Sequence, residues 1–95
     1  MEYRFEWDKK KDLKNQIKHG LTFGDAALVF YDPMRIETHD KNHSLIEDRW
    51  KILGMVGLKL IIVNCTERNG KVRLISARKA NKNEEKEYFN GYSEI

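Results

Sequence analysis

The sequence predicts an α+β domain, with helical signals in its first third, strand signals through its middle and a helical signal again at its end. Three observations carry this prediction. Leu13 and Ile17 stand i, i+4 apart behind Asp8, a residue suited to cap a helix. Leu60-Ile61-Ile62-Val63 is a continuous apolar run of the kind found in central strands. Asn69-Gly70, between two strand-like segments, is a two-residue hairpin signal, because a type I′ turn needs positive φ at both positions. With 95 residues the chain has room for a single domain, residues 1–95, around one core.

The first helix spans residues 9–18, with Leu13 and Ile17 as its inward face. Gly20 closes it in a left-handed conformation, helped by the last-turn cations Lys18 and His19. Thr22 and Asp25 resemble a capping box for a second helix over residues 23–30, with Phe23, Ala26, Ala27 and Phe30 as its apolar stripe. Asp32-Pro33 stops that helix. The period then changes. Residues 34–38 read as a strand, 39–44 as a polar loop, and 47–53 as a second strand with Trp50 and Ile52 on one face. Gly54-Met55-Val56-Gly57 turns the chain into a strand over 58–66, and the hairpin returns it over 71–78. Asn81 and Glu84 form an N-cap pair for a last helix ending near Gly91. The result is two N-terminal helices, an antiparallel sheet of three to four strands, and a C-terminal helix.

Hydrophobic residues make up 40% and charged residues 35%, a balance of folded rather than disordered chains. No apolar run approaches the ~18 residues of a membrane span. The N-terminus lacks the basic-then-apolar order of a secretory signal, and the single cysteine, Cys65, has no internal partner. These features point to the reducing cytoplasm. The net charge of +3 is unevenly spread: residues 59–82 hold seven Lys or Arg against one acidic residue. Such a patch suits a polyanionic partner, although a solubilising face is the plainer alternative.

The hairpin fixes which way its arginines point. With Asn69-Gly70 as the loop, Arg68 pairs with Lys71, Thr66 with Arg73, Asn64 with Ile75, Glu67 with Val72, Cys65 with Leu74, and Val63 with Ser76. Val63, Cys65, Val72 and Leu74 then share a core face, and Arg73 joins Arg68, Lys71, Thr66 and Asn64 on the opposite, cationic one. Strict alternation sends Arg78 to the core face. Either a bulge near Ser76-Ala77 flips the register, or Arg78 projects past the strand end; the second is favoured, since Lys79 and Asn81 lead straight into the helix.

Several blocks together resemble one known family. They are Phe5-x-Trp7-Asp8-x-x-Lys11-x-x-x-Asn15-x-x-Lys18-His19-Gly20-x-x-Phe23, Phe30-x-Asp32-Pro33, His43-Ser44-x-x-Glu47-x-Arg49, Thr66-Glu67-Arg68 and Arg73-x-Ile75-Ser76-Ala77-Arg78-x-Ala80, followed by Glu84 and Tyr88. In this order and spacing they resemble BrnT-type toxins, with departures at Asn64-Cys65, Asn81 and Gly24. The resemblance implies a RelE-like ribonuclease toxin of a type II toxin–antitoxin pair that cleaves RNA and inhibits translation. It also implies a BrnA-type ribbon-helix-helix antitoxin that neutralises the toxin in a hetero-oligomer and supplies any contact with operator DNA.

Metal-independent RNA cleavage by the 2′-hydroxyl needs cations for the phosphorane and groups that move protons. Arg68, Arg73 and Arg78 are expected to bind phosphate through the planar guanidinium fork, and Glu67, His19 and Tyr88 are the acid–base candidates. Register counts against Glu67, which faces away from Arg68; His19 could serve only as a helix cap, and Tyr88 as a core aromatic. Lys18, Lys71, Lys79 and Lys82 are expected to contact the RNA backbone. No cofactor or metal is expected, and His39, Asp40 and His43 read as a solvated loop rather than a metal site. Trp7 is expected to pack on Leu13 or Phe23, and Cys65 to be an inert core residue. The alternative function is a non-catalytic RNA-binding module using the same basic face. A helix-turn-helix reader is disfavoured, because the second helix is too apolar.

Overall fold

A computed structural model describes residues 3–93. The elements run β1 (Phe5–Glu6), α1 (Lys9–His19), α2 (Phe23–Ala26), a 3-10 segment (Ala27–Tyr31), β2 (Ile36–His39), a 3-10 turn (Lys41–His43), β3 (Arg49–Val56), β4 (Lys59–Arg68), β5 (Lys71–Lys79) and α3 (Lys82–Ser93). The sheet has five strands in the order β1-β5-β4-β3-β2 and is mixed, because β1 runs parallel to β5. The expected antiparallel sheet of three to four strands is therefore corrected. The added strand is the two-residue β1, too short to show a period in sequence.

The local signals explain most boundaries. Asp8 accepts hydrogen bonds from the Lys10 and Lys11 amides, Thr22 from the Asp25 amide, and Asn81 and Glu84 cap each other's amides at 2.8 Å. Gly20 ends α1 at φ 70°, and Asn69 and Gly70 turn the hairpin at φ 51° and 75°. The second helix is shorter than expected: α2 stops at Ala26, and residues 27–31 tighten into 3-10 geometry.

One face of the sheet is closed. Phe23, Val29, Ile52, Ile61, Val63 and Leu74 are fully buried between it and the helical layer formed by α1, α2 and the 3-10 segment. Each such side chain contributes roughly 1.5–3 kcal/mol when removed from water. Trp7 packs edge-on against Phe23, and Cys65 is buried, its thiol pushed up to about 12, chiefly by burial and then by Glu37. Gly54 lies within β3 rather than in the expected turn; the chain reverses at Gly57-Leu58 instead. A Cβ at Gly54 would come within 2.8 Å of Val29 Cγ2, so only glycine lets the 3-10 segment approach the strand.

Helix α1 corrects a second expectation. Leu13 and Ile17 are 60% and 88% exposed, while Asn15 is buried. Asn15 donates to the Leu21 carbonyl at 2.9 Å and accepts from the Ala77 amide at 3.0 Å. It thereby satisfies a β5 amide that β1, which reaches only Val72 and Arg73, leaves unpaired.

The opposite face is covered only in part. Tyr88 of α3 packs with Leu53 and Ile62 into a small second core, flanked by Ile36, Met55, Leu60 and Ala80. The rest of this face is polar.

Candidate functional site

A β-bulge makes the polar face. The expected hairpin pairs from Arg68–Lys71 to Cys65–Leu74 are present, but the register then shifts: Asn64 pairs with Ser76 and Val63 with Ala77, leaving Ile75 unpaired. The pairings Asn64–Ile75 and Val63–Ser76 are thus corrected by one residue. The shift also overturns the favoured reading of Arg78. It lies opposite Ile62, on the same face as Arg73, because the bulge adds one residue between them.

Cross-strand rows order this face. Arg49 of β3, Thr66 of β4, Arg73 of β5 and Glu6 of β1 form one row; Lys51, Asn64 and Ser76 form the next. Asn64 Nδ2 donates to Ser76 Oγ at 2.8 Å, and Arg73 Nη1 lies 3.5 Å from Glu6 Oε2.

The loop from β2 to β3 borders the Arg49 end. Ser44 Oγ donates to the Asp40 carbonyl at 2.5 Å and accepts from the Arg49 amide at 3.0 Å, and Thr66 Oγ1 donates to the Asp48 carbonyl at 2.6 Å. These bonds set a histidine–carboxylate pair beside the arginine row. His43 Nδ1 lies 2.8 Å from Asp40 Oδ2, with the carboxylate sheltered and the ring exposed. His39 turns elsewhere, with Nε2 3.0 Å from Asp48 Oδ1 and its ring edge-on to Trp50. The two histidines therefore serve different carboxylates, and among the described residues no three His, Cys, Asp or Glu side chains gather as a metal site would need.

Two hollows meet at His43 and Arg49. One, of about 430 Å³, is lined by Asn42, His43, Leu45, Ile46, Glu47, Arg49 and Arg68. The other, of about 200 Å³, is lined by Asp40, His43, Arg49, Asn64, Ile75 and Ser76. Arg49 is half-buried and, among the described residues, enters no ion pair; its Nε is shielded from solvent without a hydrogen-bond partner. Such a group stabilises an anion that reaches it more than a solvated cation would. Glu47 faces the same cluster. The Arg68 hydrogen bond, opposed by burial and joined by the charges of Arg68, Arg49 and Arg73, holds its carboxyl below the usual value.

The sequence-based candidates divide. Arg68 and Arg73 border this cluster, Arg68 through Nε and Nη2 on Glu47 at 3.2 and 3.1 Å. Arg78 shares their face but is engaged elsewhere: it grips both Glu84 oxygens at 2.7 and 3.0 Å and donates to the Lys79 carbonyl, tying β5 to the start of α3. Glu67 lines a hollow on the opposite face with Tyr3, Trp50 and Cys65, as its register implied. His19 ends α1, two residues before Leu21 of the closed core, and has no side-chain hydrogen bond among the described residues. Tyr88 is a core residue; its hydroxyl donates at 2.5 Å to Asp32, whose carboxylate also accepts from the Met34 and Met55 amides. Lys71 stands opposite Arg68, Lys79 opposite Ile61 of the closed face, Lys82 opens α3, and Lys18 lies in the last turn of α1.

Sequence reasoning missed Arg49, His43 and Asp40 as one group. A signal existed: His43-Ser44-x-x-Glu47-x-Arg49 is one of the blocks that carries the family resemblance.

Residues 7–84 match a family model described as ribonuclease toxin, BrnT, of type II toxin-antitoxin system. That stretch holds the His43–Asp40 pair and all four arginines discussed above. No curated protein matches the chain. The chain belongs to the BrnT family of ribonuclease toxins of type II toxin–antitoxin systems.

Proposed function

We propose that the protein is a metal-independent endoribonuclease whose active site is the groove shared by His43 and Arg49. One observation carries this reading: a half-buried arginine, without an ion-pair partner among the described residues, stands beside a histidine already oriented by a carboxylate. Asp40 accepts from Nδ1–H of His43, which leaves Nε2 as the lone-pair nitrogen facing outward. Nε2 takes the proton of an RNA 2′-hydroxyl, whose oxygen attacks the adjacent phosphorus. The bond from phosphorus to the 5′-oxygen breaks, and that oxygen is protonated from solvent, leaving a 2′,3′-cyclic phosphate and a 5′-hydroxyl. Arg49 and Arg73 stabilise the charge that builds on the non-bridging oxygens, and Arg68 and Lys71 hold the flanking backbone. Arg78, Glu67, His19 and Tyr88, reasonable candidates from sequence, are here assigned other work or none.

In the cell this activity inhibits translation from the cytoplasm, on a RelE-like fold, until a BrnA-type antitoxin covers the toxin. The test is incubation of purified protein with a structured RNA, with and without a chelator. Wild type yields fragments with cyclic phosphate ends in both, and His43→Ala slows their appearance by about 10²–10⁴-fold. Binding without fragments would instead support the non-catalytic RNA-binding module, and full-rate cleavage by His43→Ala removes the dyad from the mechanism.

A further inference from the structure

We propose that Glu47 is a built-in competitor for the substrate's phosphate: its carboxylate occupies Arg68 in the free protein and swings away when RNA enters the groove. The inference rests on the active-site reading above and adds a residue that tunes substrate affinity.

The geometry resembles recognition of a phosphate by a guanidinium. Two oxygens of Glu47 meet Nε and Nη2 of Arg68 at 3.1–3.2 Å, the side-on fork that arginine also offers to a phosphate. The same carboxylate lies within the electrostatic reach of Arg49 and of Arg73, which also meets Glu6 at 3.5 Å, so it competes with a substrate phosphate for Arg68 first and for its neighbours at longer range.

The segment carrying Glu47 is free to yield. The two residues before it, Leu45 and Ile46, are 94% and 100% exposed. These two side chains pack on nothing, and the Glu47 side chain is itself 28% exposed; the loop is anchored on either side, through Ser44 to Asp40 and Arg49, and through Asp48 to Thr66 and His39. Between those anchors the Glu47–Arg68 pair is the hydrogen bond that sets where the carboxylate sits. An exposed carboxylate–guanidinium pair is weak, whereas a polyanionic strand gains several contacts and releases counterions at once. Exchange of one for the other is downhill, with Glu47 setting the threshold. A carboxylate fixed to serve only as a strut would instead sit on a packed element, as Glu84 does on α3 beneath Arg78.

The test measures binding of an all-2′-deoxy strand, which cannot be cleaved by this route, to wild type and to Glu47→Gln, Asp48→Asn, Arg68→Ala, Arg49→Ala and the Glu47→Gln/Arg68→Ala double variant. Glu47→Gln is expected to tighten binding about two- to fivefold, with the gain on RNA appearing in KM rather than in kcat. The gain disappears in the Arg68→Ala background, as a double-mutant cycle requires of a direct competitor. Asp48→Asn removes the same charge one residue away, where it faces His39, and should tighten binding by less. Equal gains from both variants would reduce the effect to net charge and overturn the proposal. So would binding by Glu47→Gln that is no tighter than wild type while its melting temperature is unchanged. If Arg49→Ala leaves binding untouched, the active-site reading fails first; if it weakens binding and Glu47→Gln does nothing, only the competitor role fails.

Discussion

The two faces of this sheet use the same strands for opposite purposes. On the closed face, Ile52, Val63, Leu74 and Ala77 lie under helices, and these positions answer to packing. On the open face the rows Arg49–Thr66–Arg73 and Lys51–Asn64–Ser76 answer to charge and hydrogen bonding. Packing alone would let both faces be apolar if a second helical layer covered them. Helix α3 covers only the Leu53–Ile62 end, and the cations begin where its cover stops. A strand can therefore carry a core and a site together, because alternation separates them and a single bulge at Ile75 adjusts which residues join the site.

The sharpest way to break this division is to remove one arginine of each kind. Arg49→Ala should lower RNA cleavage by about 10²–10³-fold with a melting temperature close to wild type, because among the described residues its guanidinium makes no ion pair and its Nε no hydrogen bond. Arg78→Ala should do the reverse: a measurably lower melting temperature from the loss of the Glu84 grip, and cleavage mostly retained. Rate assays beside thermal melts decide it. If Arg78→Ala abolishes cleavage at unchanged melting temperature, Arg78 belongs with the phosphate ligands, as the sequence reading held.

Asn15→Ala tests the closed face. It strips partners from the Leu21 carbonyl and the Ala77 amide, each buried group losing roughly 1–3 kcal/mol. We expect a loss of about 2–4 kcal/mol in urea unfolding, and unchanged cleavage per folded molecule. Gly54→Ala should follow at about 1–3 kcal/mol, since the added methyl meets Val29 at 2.8 Å.

How far the sequence foretold each face follows from how local its signals are. Caps are local, so Asp8, Thr22, Gly20, Asn69-Gly70 and Asn81–Glu84 were all legible. The hairpin register was legible out to Leu74 for the same reason. It failed at Ile75 because nothing in Arg73-Leu74-Ile75-Ser76-Ala77 marks which residue bulges; that choice depends on what packs on both faces at once. The His43–Asp40 pair was illegible because a loop has no period, and its conformation is set by Ser44 and by the Asp48–Thr66 bond across the sheet. Tyr88 was placed on the right helix, but its partner Asp32 lies 56 residues away.

That long-range bond gives a smaller, pH-dependent test. Burial works to raise the Asp32 carboxyl, yet hydrogen bonds from the Met55 amide, the Tyr88 hydroxyl and the Met34 amide, with Arg35 nearby, outweigh it and hold it below its ordinary value. A carboxyl lower in the folded than in the unfolded state contributes stability that is fully present above the unfolded pKa of ~4 and is lost as pH falls through the folded one. Tyr88→Phe should lose about 1 kcal/mol at neutral pH and show a shallower acid decline than wild type. Parallel stability curves for the two proteins below pH 4–5 would contradict the role given to this bond; the same window applies to Glu84, lowered chiefly by its Arg78 hydrogen bond.

The smallest effect is expected where the sequence looked most like core. An α-helix turns about 100° per residue, so Leu13 and Ile17 each sit roughly 160° around α1 from Asn15, which the β5 edge holds inward. Asp12, within about 60° of Asn15, also points in and accepts from the Phe23 amide at 2.8 Å. One i, i+4 apolar pair cannot orient a helix against one buried and one half-buried polar anchor that satisfy the Leu21 carbonyl and the Ala77 and Phe23 amides. Leu13→Gln and Ile17→Gln should therefore shift stability by no more than about 0.5 kcal/mol each, while Val29→Ala on the closed face loses several times that amount. Losses at Leu13 and Ile17 that approach the Val29 value in urea unfolding would mean that α1 is rotated, with its apolar pair against the sheet and Asn15 in water.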